Sequence, residues 1–470
     1  MFFRNKIYLF LTGFLVMLLF GSCRKFLEQE PTNRLSIDDI FKDFEGARTT
    51  LVGLYGNLKD INYYERTLFL YPDLTGGNIK YSRDNPLVLV NTYNFANTNQ
   101  ISFNEMTSFY RIGYNNIYRA NNVLANINRA VNASTLQKNR MLADAYTFRA
   151  LAHFDLVRVF AQPYNFSPNG DHPGIVIRTQ NTLGTELLEP AAIVGKVYSQ
   201  ILADLDSALI LYPNSIPIYV GGTDKTWLSA DAAKAIKLRV LLYMENWQGV
   251  IDIANQLITN NYPLMNTAGY INSWRRSATN SMDNETIFML FARIDQNQSS
   301  YGDNFNPGNT IFGYMAASND LLNIFSPNDV RGPGSMFVSQ VVSNKNYLFT
   351  RKYQGGNDSA NNQKLIRISE IILCRAEAYA EMENLTAAQT DLNRIRLRAN
   401  PTSAPLALTN KQQVLDSIFV ERRRELCFEG HTLFDITRKK RNLTRIDCLG
   451  SNCSINYPDP RFAVPIPNQR

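Results

Sequence analysis

The chain has 470 residues, 45% hydrophobic and 19% charged, with a formal net charge of +7. That is a globular composition with ample core, enough for one large domain or two to three ordinary ones. The charge excludes little by itself. The basic clusters ERRRE at 421–425 and RKKR at 438–441 do not make a nucleic-acid surface, because the first is interleaved with acids. His153, His172 and His431 are scattered, which gives no metal-ligand spacing and no cofactor.

Residues 1–22 read as an export signal. Arg4 and Lys6 precede an apolar run from Ile7 to Phe20, and Gly21-Ser22 supply small residues before a cleavage point. Fourteen residues cover roughly 21 Å as a helix, short of the ~30 Å hydrocarbon core, so a permanent span is the weaker reading. Phe20-Gly21-Ser22-Cys23 resembles a bacterial lipobox, with Phe20 where the pattern prefers an aliphatic residue. Lipidation at Cys23 would then hold the mature chain on a membrane. Plain secretion with a chance cysteine is the alternative.

Residues 60–103 lack a sustained helical stripe and are rich in Asn, Gly, Ser and Tyr. Helical spacing follows in Gly113, Ile117, Ala120, Leu124, Ile127 and Val131. It recurs in Leu142, Ala145, Arg149, Ala152, Leu156 and Val159, and again in Val194, Tyr198, Ile201, Leu205, Ala208 and Tyr212. A helix pair follows. Ser229 is placed to cap the first helix, a break falls at Glu245-Asn246, and the second helix ends at Asn260-Asn261. The unit has the length of a tetratricopeptide repeat. A second unit carries Leu365, Ile368, Ile372, Ala376 and Tyr379, turns near Glu383-Asn384, and continues through Ala388, Leu392, Ile395 and Ala399.

Between the two units, residues 264–360 are again irregular, with short strands expected at Thr286–Phe291 and Tyr347–Tyr353. Long irregular stretches inside ordered domains are usually functional. The expected fold is mainly α: a tetratricopeptide-like scaffold with an inserted loop-rich subdomain. The expected division is 1–22 signal, 23–260 with an insert at 60–103, and 261–470 with an insert at 264–360 and helices over 365–440.

Four cysteines remain in the body. Cys374 and Cys427 lie in helical patterns and read as buried thiols. Cys448 and Cys453 flank a Gly-Ser-Asn turn, where either a disulfide or two free thiols fit. Arg149 and Arg422 fall on apolar helix faces, which requires buried carboxylate partners. Glu370, Glu377, Glu421, Glu425 and Glu429 are available. These motifs read as structural ion pairs, and Gly430 is placed to end a helix.

In order along the chain stand the lipobox, CRKFLEQEPTNRLSIDDIF, YTFRALAHFDLVRVFAQPY at 146–164, IRISEIILCRAEAYAEM at 366–382 with LNRIRLRAN, VERRRELCFEGHTLFDITRKK at 420–440, and a terminal FAVPIPNQ. This set resembles the SusD/RagB family of outer-membrane lipoproteins from Bacteroidetes over nearly the whole mature chain. The resemblance implies a SusD-like fold and a nutrient-binding role without catalysis. It implies capture of oligosaccharide, or in some members peptide, at the cell surface. The partner it implies is a TonB-dependent β-barrel transporter of the SusC type, with anchoring in the outer membrane through Cys23. An exported helical-repeat adaptor and an all-α glycosidase are the competing readings. The latter needs two carboxylates across a cleft, and no nucleophile elbow or phosphate loop appears.

A sugar site mixes aromatic faces with fixed hydrogen-bond partners. The irregular regions offer Tyr63, Tyr64, Tyr71, Asp73, Asn78, Tyr81, Arg83 and Tyr93, then Trp274, Arg275, Tyr301, Asn304, Phe305 and Tyr314. Of these, Tyr71, Asp73, Asn78, Tyr81, Trp274, Arg275, Tyr301 and Asn304 are the candidate ligand residues. Trp274 is expected as a surface aromatic, and Trp227 and Trp247 as core.

Overall fold

The structure, a computed structural model, describes residues 36–468 except 85, 100–103, 182–189, 222–223, 259–260, 275–282, 292–300, 309–312 and 354–361. The proposed lipidation site Cys23 and the candidate ligand residue Arg275 lie outside the described residues.

The first half is a stack of antiparallel helices. Short α1 (Ile37–Phe41) leads into α2 (Phe44–Leu58). Then come α3 (Thr67–Thr75), β1 (Ile79–Tyr81) and α4 (Val90–Tyr93). The long helices α5 (Glu105–Asn126), α6 (Thr135–Phe160) and α7 (Val194–Leu211) pack side by side, with α6 central. Ser134 and Gln137 form a reciprocal capping box at the start of α6, which satisfies two backbone donors. Because α6 touches helices on both flanks, it is buried on most of its circumference and shows more than one apolar stripe. The stripe assigned to α5 runs too far: the helix ends at Asn126, and Val131 is 87% exposed.

Two helical hairpins carry the repeat. They are α8 (Ala230–Tyr243) with α9 (Trp247–Leu257), and, further on, Ile368–Glu381 with Leu385–Ala399. Ser229 caps α8, its side chain accepting from Ala232 N at 3.2 Å. Both hairpins turn on the same tripeptide, Met244-Glu245-Asn246 and Met382-Glu383-Asn384. The Glu takes a left-handed φ, +59° and +64°. The Asn then caps the next helix, accepting from Gly249 N at 3.0 Å and from Ala387 N at 3.2 Å.

Between the hairpins lie α10 (Thr267–Trp274), β2 (Thr286–Leu290), β3 (Met315–Ala317), α11 (Asn319–Leu322), β4 (Phe337–Val342), β5 (Lys345–Thr350) and β6 (Gln363–Arg367). The later hairpin is therefore α12 with α13, followed by α14 (Lys411–Leu426), α15 (Thr432–Arg438), β7 (Leu443–Thr444) and β8 (Ser454–Ile455). Leu365, assigned to the stripe of α12, instead sits in β6, which pairs antiparallel with β2. The β4–β5 hairpin turns through Ser343 and Asn344, both at positive φ (+51°, +61°), a two-residue turn that matches strand twist. The two irregular regions meet as a ladder: β1 pairs with β3, Ile79 opposite Ala317.

Helix α14 stops at Leu426, short of Gly430. Gly430 has a different task. Its φ is +80°, and a Cβ there would stand 2.6 Å from the Leu68 carbonyl oxygen. Only glycine lets this turn lie against α3.

The motif arginines are buried and paired. Arg149 donates to Asp204 from Nε (2.8 Å) and Nη2 (2.6 Å), and to Asn121 from Nη1 (2.8 Å). Arg422 pairs with Asp435 at 3.0 Å, so its carboxylate comes from α15 and not from one of the five glutamates. Glu377 receives Arg438, Nη2 at 2.8 Å. Glu370 receives Arg239, Nη2 at 2.7 Å. Glu425 accepts from Arg398 (2.6 Å), Arg331 (3.0 Å) and Arg367 (3.1 Å). Arg367 also meets Glu429 at 2.8 Å and Glu285 at 3.1 Å. Burial pushes Glu425 up, but Arg398 and Arg367 reverse this and hold it well below the carboxylate range. This lattice ties β6, α13, α14 and the segment before β2 at one point. Cys448 and Cys453 are bonded, with Cα atoms 5.7 Å apart. Cys374 and Cys427 are free and buried.

Candidate functional site

The chosen ligand residues do not form a surface platform. Tyr71, Asp73, Asn78, Tyr81, Trp274, Tyr301 and Asn304 are all buried. So are Tyr63, Tyr64, Tyr93, Phe305 and Tyr314, and Trp274 is only 4% exposed. The physical reason differs by group. Asp73 and Asn78 form a knot: Asp73 accepts from Gly430 N at 2.6 Å and from Thr432 Oγ1 at 2.9 Å, and the Asn78 amide bridges Asp73 and Thr432. Burial raises the Asp73 pKa, opposed by these hydrogen bonds. The knot fastens the first irregular region to the Gly430 turn. Tyr81 packs on Tyr93 at 4.8 Å, and Tyr71 on Phe434 at 6.0 Å. Arg83 donates to the Pro307 carbonyl at 2.9 Å, crossing between the two irregular regions. Trp227 and Trp247 are half-buried, each at the edge of the core.

The remaining aromatics line up as a buried wall. Tyr353 contacts Trp274 (5.4 Å), Tyr301 (4.9 Å) and Phe69 (6.3 Å), and Tyr301 contacts Phe305 (5.2 Å). Behind the wall, Lys352 Nζ lies 5.0 Å from the Trp274 ring and pairs with Glu429 at 2.7 Å. The ion lattice therefore backs the aromatic wall directly.

In front of it opens a cleft of about 330 Å³ between the turn at 305–307 and the β4–β5 hairpin. Phe305 and Tyr353 line its depth, and Asn306, Gln340 and Arg351 line its rim. Phe305 is seated edge-on against Phe428 at 5.3 Å, so its place is fixed by packing. Arg351 N donates to Met336 O at 2.8 Å, which holds the strand end while its side chain stays exposed. The size falls in the range of small-ligand clefts. Phe305 and Tyr353 are themselves buried and close the cleft from behind, so the groups it opens to a ligand are the amides of Asn306 and Gln340 and the Arg351 guanidinium, which suit a hydroxylated ligand.

None of the described candidate ligand residues lines this cleft; of the wider set of aromatics only Phe305 does, and Gln340 and Arg351 were missed. The expected strand at 347–353 covers Arg351 and Tyr353, but β5 ends at Thr350 and the chain bends there, so strand alternation does not mark Arg351 as exposed.

Comparison with known proteins places this architecture. A model described as "SusD family" matches residues 266–447, and one described as "Starch-binding associating with outer membrane" matches residues 25–242. SusD-like protein P25 of Formosa agariphila is 22% identical, covering 90% of this chain and 88% of its own. A SusD superfamily protein from Bacteroides thetaiotaomicron superposes with a TM-score of 0.78 at 24% identity, over 90% of this chain and 96% of that one. A SusD-like carbohydrate binding protein from Bacteroides vulgatus gives a TM-score of 0.71 at 21% identity, over 86% and 85%. With two family models spanning most of its length and the same helical fold in solved relatives, the chain belongs to the SusD/RagB family.

Proposed function

We propose that this protein is a cell-surface nutrient-binding lipoprotein. It captures oligosaccharide and delivers it to a TonB-dependent outer-membrane transporter, without catalysing a reaction. The observation that carries the ligand class is the cleft at Phe305 and Tyr353, with Asn306, Gln340 and Arg351 at its mouth. Its chemistry fits the starch-binding description of the matching family model. Membrane attachment rests on the Phe20–Cys23 pattern, and the same family description supports association with the outer membrane.

The test is titration of the purified mature protein with maltoheptaose, xylohexaose, mannohexaose and a random peptide pool, with product analysis. Saturable saccharide binding without cleavage is the expected result. Binding of peptides alone would move the ligand class, and cleavage products would overturn the non-catalytic reading. Cys23→Ala is expected to release the protein from the membrane fraction; a processed variant that stayed bound would refute the lipid anchor.

A further inference from the structure

A second cleft lies away from the first. It encloses about 160 Å³ and is lined by Phe95, Asn97, Pro460, Arg461, Ala463 and Pro465. A cavity of about this volume accommodates one six-membered ring.

Its walls are built and braced. Phe95 holds a left-handed φ of +53° although it carries a bulky side chain. Such a conformation is strained for a bulky residue and persists only where the surroundings impose it. The surroundings here are specific. Phe462 meets the Phe95 ring edge-on at 6.2 Å, and Arg445 lies 5.4 Å from it. The loop closed by Cys448–Cys453 presses on the preceding residues: Leu449 N donates to Tyr93 Oη at 3.1 Å, and the Asn452 amide donates to Asn94 O at 2.6 Å. Asn452 also reaches the opposite wall, its Oδ1 accepting from Arg461 Nη1 at 2.9 Å. One side chain of the disulfide loop therefore spans both walls and sets their separation.

Arg461 is held in a fixed plane. Nε and Nη2 donate to Asp459 at 2.9 and 2.8 Å, which balances its charge locally. Of the five N–H donors of a guanidinium, these contacts engage three, leaving two at an exposed edge. Asn97 is likewise oriented, its Oδ1 accepting from Thr92 Oγ1 at 3.2 Å. The cleft thus offers one aromatic ring, two proline rings and oriented N–H donors with no net charge.

We propose that this cleft is a second saccharide site that takes a single pyranose residue, and that the Cys448–Cys453 loop positions its walls. A hydroxylated ring uses the rim donors and the apolar lining together. An aromatic side chain of a peptide would leave the donors unused, and an ionic ligand would compete with Asp459. The ligand class rests on the saccharide reading of the first cleft; the location does not.

The experiment is calorimetric titration of the mature protein with whichever of maltoheptaose, xylohexaose and mannohexaose binds, in wild type, Arg461→Ala, Arg351→Ala and Cys448→Ser/Cys453→Ser. Wild type is expected to bind at two sites per chain. Arg461→Ala, exposed and remote from the core, is expected to weaken one by about tenfold or more while the other persists. Arg351→Ala is expected to do the reverse. The cysteine pair variant is expected to weaken the same site as Arg461→Ala, with the Arg351 site as its folding control. One site per chain, lost in Arg351→Ala and untouched by Arg461→Ala, overturns the second site and leaves the function standing. Absence of saccharide binding in wild type overturns both. Two sites with unchanged affinities in the cysteine variant overturn the positioning role of the loop.

Discussion

The point where Glu425 gathers three arginines and the cleft before Tyr353 are neighbours with opposite chemistries. The first is fully buried, charged and closed on itself, each arginine donating to more than one carboxylate or carbonyl. The second is aromatic at its floor, polar at its rim and open to solvent. Lys352 joins them: it is paired to Glu429 while Arg351 and Tyr353 on either side line the cleft. The difference teaches that this motif builds structure and not the ligand surface. The ERRREL motif and its partners supply a rigid back wall, and the ligand groups sit on the hairpin outside it.

Removing Arg367 gives the largest expected effect. It leaves Glu425, Glu429 and Glu285 buried with fewer partners, and loss of one member of such a network is worth about 3–5 kcal/mol. Urea denaturation of Arg367→Ala reads this. A variant as stable as wild type would break the distinction between wall and cleft.

The two regions are next separated by pH. Burial pushes Glu65, under the Tyr301 turn, up to about 7 from its ordinary 4.5, with Lys59 opposing. A raised carboxylate binds its proton more tightly in the folded state. Its contribution is complete below about 4.5 and is lost as pH rises through about 7. The full change is on the order of 3 kcal/mol. In the helical region the sign reverses. Burial raises Glu370 and Glu377, but Arg239 and Arg438 outweigh it and bring both to about 2. Their contributions are present above 4.5 and fade as pH falls toward 2. Glu65→Gln is expected to flatten the stability profile between about pH 4.5 and 7 and to leave the acid limb unchanged. An unchanged slope over that interval would contradict this.

The smallest effect concerns the repeated turn. Asn384→Ala removes one cap and is expected to cost about 1 kcal/mol, with Asn246→Ala alike. Markedly unequal losses in thermal melts would show that the two hairpins are not energetic equivalents.

Much of the helical scaffold was legible because burial on one face writes a 3.6-residue period, as in Val194 to Tyr212, all buried at the marked positions. Leu365 misled because a short strand running straight into α12 continues the apolar spacing. The site was harder. Tyr, Asn and Asp in an irregular stretch look the same whether they knit a loop to the core, as Asp73 and Asn78 do, or face solvent. The Arg422 partner was missed because Asp435 comes from the next helix, a contact that helical spacing does not encode. Gln340, paired with Tyr347, and Arg351, bonded to Met336 past the strand end, reach one cleft only through hairpin geometry.

The most direct measurement is saccharide titration beside thermal melting for the Gln340→Ala/Arg351→Ala variant, using the oligosaccharide that wild type binds. The account predicts loss of binding at the cleft with a melting temperature close to wild type. Unchanged affinity at that cleft, or a collapse of stability comparable to Arg367→Ala, would contradict the separation of wall from site.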